Sequence, residues 1–197
     1  MSTVDAYLSG LRTALPSAQW QQLSIASGAP AQQLDALRAA YPQCPVALLE
    51  LLGKVNGTWW QTYEGTKIAV LILGSDVFEY PYYLMSLEQM LQEGERRGGD
   101  SIAQIYGKYL DATPELLDPR IDPAIPMGRR LCFSQCMNNG GTSILYIDFT
   151  PAPGGVVGQV VRFLHDPDSY AVIANSFDAY LQDLIDGGFA FVMEDDE

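Results

Sequence analysis

The chain is short of the residues that most chemistry needs. One histidine, His165, stands in 197 residues, so a single side chain titrates near neutral pH without help from its surroundings. The cysteines are three, Cys44, Cys132 and Cys136, and an odd count in a chain of this size indicates no disulfide framework. Cys132 and Cys136 stand four apart with no histidine close in sequence. Zinc asks for about four sulfur or nitrogen ligands, so the pair reads as core packing. A G-x-S-x-G elbow, a P-loop and a G-x-G-x-x-G motif opening a helix are all missing. The glycines of NNGG (138–141) and GGVVG (154–158) read as hairpin turns instead. No nucleophile stands beside a base, so the chain is not expected to be an enzyme, and neither a cofactor nor a metal is expected. No apolar run approaches the roughly 18 residues that span a bilayer. The opening MSTVDAYLSGLRTALPSAQW lacks a basic stretch followed by an apolar one, so no secretory signal is expected and the cytoplasm is the expected location.

Positive charge is scarce as well. Eleven Lys and Arg oppose 24 Asp and Glu, a net charge of −13. Arg162 is the last cation, and carboxylates continue after it from Asp166 to Glu197. The EDDE sequence at 194–197 holds only four of the 24 acids, so the folded body keeps a surplus of its own. Such a field repels nucleic acid and anionic membrane and attracts basic partners. The plainer reading of the same surplus is solubility.

What the chain does have is core material: 48% hydrophobic against 18% charged residues, which suits one α+β domain. Val4, Tyr7, Leu8 and Leu11 fall on one face of a short helix. Leu34, Leu37 and Tyr41 mark a second helix, ended by Pro42. PVALLELLGKVNG predicts a third that buries Leu48, Leu51, Leu52 and Val55 and stops at Asn56-Gly57. KIAVLIL (67–73) reads as a strand buried on both faces or nearly so. SLEQMLQEGERRG carries a Ser86 cap and Leu87, Met90 and Leu91 in helical phase, and IAQIYGKYL continues helically. Residues 111–128, DATPELLDPRIDPAIPMG, hold four prolines and read as a long irregular connection. LCF and SILYIDF are apolar β segments, the second a central strand covered on both sides. After the loop TPAPGG, VVGQVVRFL is its antiparallel neighbour. Asn175 or Ser176 caps a last helix whose inner stripe is Phe177, Tyr180, Leu181, Leu184 and Ile185.

Candidate contact residues come from two places. Trp59-Trp60 and the stretch from Phe78 to Tyr83 crowd large rings into connecting segments. Adjacent tryptophans on a strand face opposite sides, so one is expected inside and one nearer the surface. Trp59, Trp60, Tyr82 and Tyr83 are therefore candidate anchors, with core filling as the alternative. His165-Asp166-Pro167-Asp168 reads as turn chemistry, too poor in oxygen ligands for a calcium loop. Asp166 and Asp168 there are candidate suppliers of surface charge.

The order of these pieces resembles the SUKH superfamily, the bacterial immunity-protein group that also contains the yeast Smi/Knr regulators. The similarity is carried by PVALLELLGKVNGTWW, KIAVLIL and IPMGRRLCFSQCMNNGG leading into SILYIDFTP, then by GGVVGQVVRFLHD and ANSFDAYLQDLID. The last three, in sequence and closely spaced, are its specific part. It covers about residues 30–187, which leaves 1–29 as an N-terminal helical extension and 188–197 as an acidic tail. The resemblance implies an α+β fold with a central, mostly antiparallel sheet flanked by helices. It also implies a cytoplasmic antidote that binds a cognate toxin, often a nuclease, with no shared catalytic residue. The proline-rich 111–128 departs from the pattern. The acidic charge agrees with such a role, since a basic toxin cleft is blocked by matching charge. A non-catalytic regulator or scaffold bound to an endogenous protein is the alternative.

Overall fold

Strand patterning and three hairpin connections build the centre of the molecule. The computed structural model describes residues 1–138 and 141–192. The elements in chain order begin with α1 (Thr3–Ala14), α2 (Ser17–Leu23), α3 (Ala31–Ala40) and α4 (Val46–Leu52), then β1 (Trp59–Tyr63), β2 (Thr66–Ala69) and β3 (Tyr83–Leu84). After these come α5 (Leu87–Arg96), α6 (Ile102–Tyr106), α7 (Tyr109–Ala112), β4 (Leu131–Asn138), β5 (Gly141–Asp148), β6 (Gln159–Leu164), β7 (Ser169–Ala174) and α8 (Phe177–Asp186). The fold is α+β. Strands β3 to β7 form one antiparallel sheet in sequence order, and β1 and β2 form a separate hairpin.

β5 is the middle strand, and Ile144, Leu145, Tyr146 and Ile147 are all buried. Its unbroken apolar run is thus explained by helices on both sides. On one side, Phe177 and Tyr180 of α8 set their rings edge-on to Phe133, with centroids 5.4 and 5.8 Å away. α1 packs on α8 and α4 and buries Val4, Tyr7 and Leu11 in the same core. The Tyr7 hydroxyl donates to the Ile72 carbonyl and the Tyr180 hydroxyl to that of Gly74. On the other side, Tyr170 meets Phe163 and Tyr106, and Leu116 is buried nearby.

Asn56-Gly57 does more than end a helix. The Asn56 side-chain carbonyl accepts from Leu87 N at 2.9 Å, while Ser86 and Gln89 form a reciprocal capping box at the start of α5. Gly57 has φ +90°, and a Cβ there would lie 2.8 Å from Ser86 N. Glycine is needed both for the turn and for this close approach. At the far end of the sheet Arg130 and Asp148 form a fully buried ion pair, 3.5 Å apart. Arg130 also donates to the carbonyls of Asp122 and Ile125, and Asp148 accepts from Gln159 and Thr150 N. The proline-rich connection is thereby tied to the sheet.

Several sequence expectations change. KIAVLIL is not buried on both faces: Ile68, Val70 and Ile72 are inside, while Lys67 is exposed. Only Thr66–Ala69 is strand, paired with β1 outside the main sheet, because the chain then leaves the hairpin to bridge Leu73 with Tyr82. IAQIYGKYL is two short helices, broken at Gly107 with φ +54°. α2, β3 and β7 add to the elements read from sequence. The centre of NNGG at 139–140 and the EDDE acids at 194–197 lie outside the described residues. No helix among those described is long and apolar enough to cross a membrane.

Candidate binding surface

The turn at 165–168 joins β6 to β7 at one end of the sheet. Asp166 takes φ +56°, a left-handed conformation that aspartate tolerates better than most residues. His165 N donates to Ser143 Oγ at 3.0 Å, which fastens the turn to β5. Gly141 abuts the same histidine, and a Cβ there would stand 2.1 Å from its ring. The Asp168 carboxylate accepts from the Tyr106 hydroxyl at 2.6 Å and faces His165 Nδ1 at 3.3 Å. Burial and then the Asp168 hydrogen bond push the Tyr106 pKa up, so the phenol stays a donor at any ordinary pH.

A groove of about 530 Å³ separates this turn from the α6–α7 segment. Tyr106, Tyr109, Thr113 and Glu115 form one wall, and residues 165–169 form the other. Tyr109 is 57% exposed. Glu115, Asp166 and Asp168 put three carboxylates on the lining, and no lysine or arginine lines it. The scarcity of cations matters here. Arg38, Lys54, Arg96, Arg97, Arg120, Arg130 and Arg162 are all held in ion pairs with carboxylates elsewhere in the chain. The groove therefore offers aromatic surface and negative charge to whatever enters it.

The aromatic candidates gather at the opposite edge of the sheet. Trp60 is 60% exposed, with Lys67 Nζ 4.8 Å from its ring centroid. Trp59 is half-buried; it meets Trp60 edge-on and stacks on Tyr83, each at 5.8 Å. The Tyr83 hydroxyl donates to Gln135. Tyr82 is 0% exposed. Alternation along the strand turns Tyr82 into the core and leaves Tyr83 outward, so Tyr82 is not a surface anchor. β3 and the β6–β7 turn are separated by three strand spacings, about 14 Å or more. The structure thus brings Asp166 and Asp168 together with each other, and Trp59, Trp60 and Tyr83 together with each other, but does not join the two groups. Tyr106, Tyr109 and Glu115 were missed by sequence reasoning, because they come from a stretch read as helix and irregular connection. Their only advance signal was the pairing of exposed rings with acids at Asp111 and Glu115.

All three cysteines are buried thiols, and no group of His, Cys, Asp and Glu among the described residues could hold a metal ion. Residues 28–183 match the model of the SMI1 / KNR4 family (SUKH-1). The match spans most of the chain, which belongs to that family. No curated protein matches it.

Proposed function

We propose that this SUKH-1 protein is a cytoplasmic antidote that binds a basic protein toxin and blocks it by occupancy, without turnover. Family membership is consistent with an immunity-like role. The observation that carries the reading is the groove between Tyr109 and the 165–168 turn, lined by three carboxylates and no cation. A nuclease is the toxin class that best fits such a surface, because a cleft built for phosphates is cationic. Matching fields would also speed encounter, which suits an antidote that must act before damage accumulates. The test is co-expression with the toxin encoded beside its gene. Growth should be rescued by the intact protein and lost or weakened with Asp166→Asn, Asp168→Asn and Glu115→Gln combined. Rescue that the triple variant leaves untouched would move the contact away from the groove.

The separate Trp59-Trp60-Tyr83 edge favours one other reading. A non-catalytic regulator that bridges endogenous proteins would use two remote surfaces, and its gene would stand beside no toxin. Under that reading Trp60→Ala and the groove variant should each abolish a different interaction.

A further inference from the structure

A second cavity, of about 510 Å³, opens where the end of α3, the outer side of α5, the 3-10 turn at Met127–Arg129 and the segment after β5 converge. Small-ligand sites commonly have volumes of this order. It lies at the other end of β5 from the acidic turn. Gly141 and Phe149 are eight residues apart, about 27 Å of extended strand. Its fate is therefore independent of the toxin reading.

The floor is apolar, made by Tyr41, Leu91 and Phe149, with the two rings 5.9 Å apart. Glycines let its walls close on one another. A Cβ on Gly94 would come within 2.4 Å of the Tyr41 hydroxyl oxygen, and one on Gly128 within 2.6 Å of the Gly94 carbonyl. The Tyr41 hydroxyl donates to Gly128 O at 3.2 Å and locks the two walls together.

Two polar features of this cavity have no counterpart inside the protein. Arg129 and Glu95 are exposed on the same lining. Neither is ion-paired, with the other or with any described residue. Ala39 and Ala40 add the last turn of α3, whose carbonyls lack intrahelical partners.

An apolar floor, one cation and one anion describe a zwitterion with an apolar body. We infer that the cavity binds a free α-amino acid with a large apolar side chain. Arg129 takes the carboxylate. Glu95 and the α3 carbonyls take the ammonium, and the side chain lies on Tyr41, Leu91 and Phe149. A terminal residue of a polypeptide carries only one of the two charges, so the ligand's source can be told apart by removing them singly.

The test is calorimetric titration of the full chain with L-phenylalanine, 3-phenylpropionate and 2-phenylethylamine. The last two lack the ammonium and the carboxylate respectively. L-phenylalanine should bind saturably and more tightly than either. Arg129→Gln should weaken L-phenylalanine and 3-phenylpropionate by about three- to tenfold, and leave 2-phenylethylamine unchanged. Glu95→Gln should weaken L-phenylalanine and 2-phenylethylamine by a similar factor and leave 3-phenylpropionate unchanged. Both side chains are exposed, so both variants should keep the native thermal midpoint, which is checked alongside. No saturable binding of L-phenylalanine up to about 10 mM would overturn the inference. So would affinities that both variants leave unaltered. A one-charge probe that binds as tightly as L-phenylalanine would refute the zwitterion and point to a chain terminus.

Discussion

Tyr82 and Tyr83 are neighbours with opposite fates, and sequence alone does not assign them. Their register is set by the pairing of Tyr83 and Leu84 with Gln135 and Ser134 of β4, fifty or more residues on, and by the bridge from Tyr82 to Leu73. Trp59 and Trp60 are different: one ring does lie deeper than the other, but Trp60 sits at a break in the β1–β2 register with φ +56° and its ring meets that of Trp59, so the local backbone and not plain alternation places them. Truncating Tyr82 to Ala should cost about 3–5 kcal/mol, the range for a large buried ring. Trp60→Ala should stay within about 0.5 kcal/mol, because its exposed surface loses little on truncation. Urea unfolding curves of the two variants decide this; equal losses would place Trp60 in the core. The cysteines make a second residue-level prediction. Burial pushes Cys44 and Cys132 up to about 12 and Cys136 up to about 11. The thiolate is the reactive form, so a disulfide reagent such as Ellman's should find almost no reactive thiol at pH 8. All three should react after denaturation. A fast-reacting thiol in the native protein would contradict their burial.

At the scale of elements, what was legible depended on whether the signal was local. α1, α4, α5 and α8 each carry their apolar stripe and, for α5 and α8, a serine cap, so periodicity and capping sufficed. SILYIDF was readable as a central strand because its first five residues, Ser143 to Ile147, carry no charge and four of them are apolar. β7, SYAVIA, went unread because it is short and half-buried, and it becomes a strand only by pairing with β6. The acidic groove was half legible for the same reason. Asp166 and Asp168 announce themselves in a turn, but the wall they face comes from α6 and α7 some fifty residues earlier. The junction between α4 and α5 shows a cap that spans elements. Ser86→Ala removes one half of a capping box and should cost about 1 kcal/mol. Gly57→Ala should cost more, because it combines a left-handed backbone with a 2.8 Å clash against Ser86 N. Thermal melts compared with a surface control such as Glu64→Gln test this order. A Gly57→Ala protein as stable as Ser86→Ala would mean that the two segments yield.

For the whole molecule, charge and titration set the working range. Hydrogen bonds from Arg120 hold Asp118 below the usual carboxylate range. Burial opposes the same shift at Glu93, yet Arg96 and Arg97 outweigh it. A carboxylate whose folded pKa is depressed stabilises the fold above its unfolded pKa, about 4, and that contribution is lost as pH falls through the lower folded value. The thiols, and buried phenols such as Tyr82 and Tyr146, are shifted upward by burial. Their contribution is complete below their unfolded pKa values, about 8.5 and 10, and is lost as pH rises through the raised folded ones. Stability should therefore be level between about pH 5 and 8 and fall on both sides. The net charge of −13 acts on association more than on folding. At physiological salt the Debye length is about 8 Å, so a distributed field is largely screened while carboxylates in contact are not. Raising salt from about 50 to 500 mM should then lower the on-rate for a basic partner strongly and leave its off-rate nearly constant. The variant with Asp166, Asp168 and Glu115 neutralised should instead raise the off-rate at every salt concentration, because direct contacts are lost. Stopped-flow association and surface-capture dissociation separate the two. If neutralising the groove changes only the on-rate, those three carboxylates belong to the general field and not to the contact.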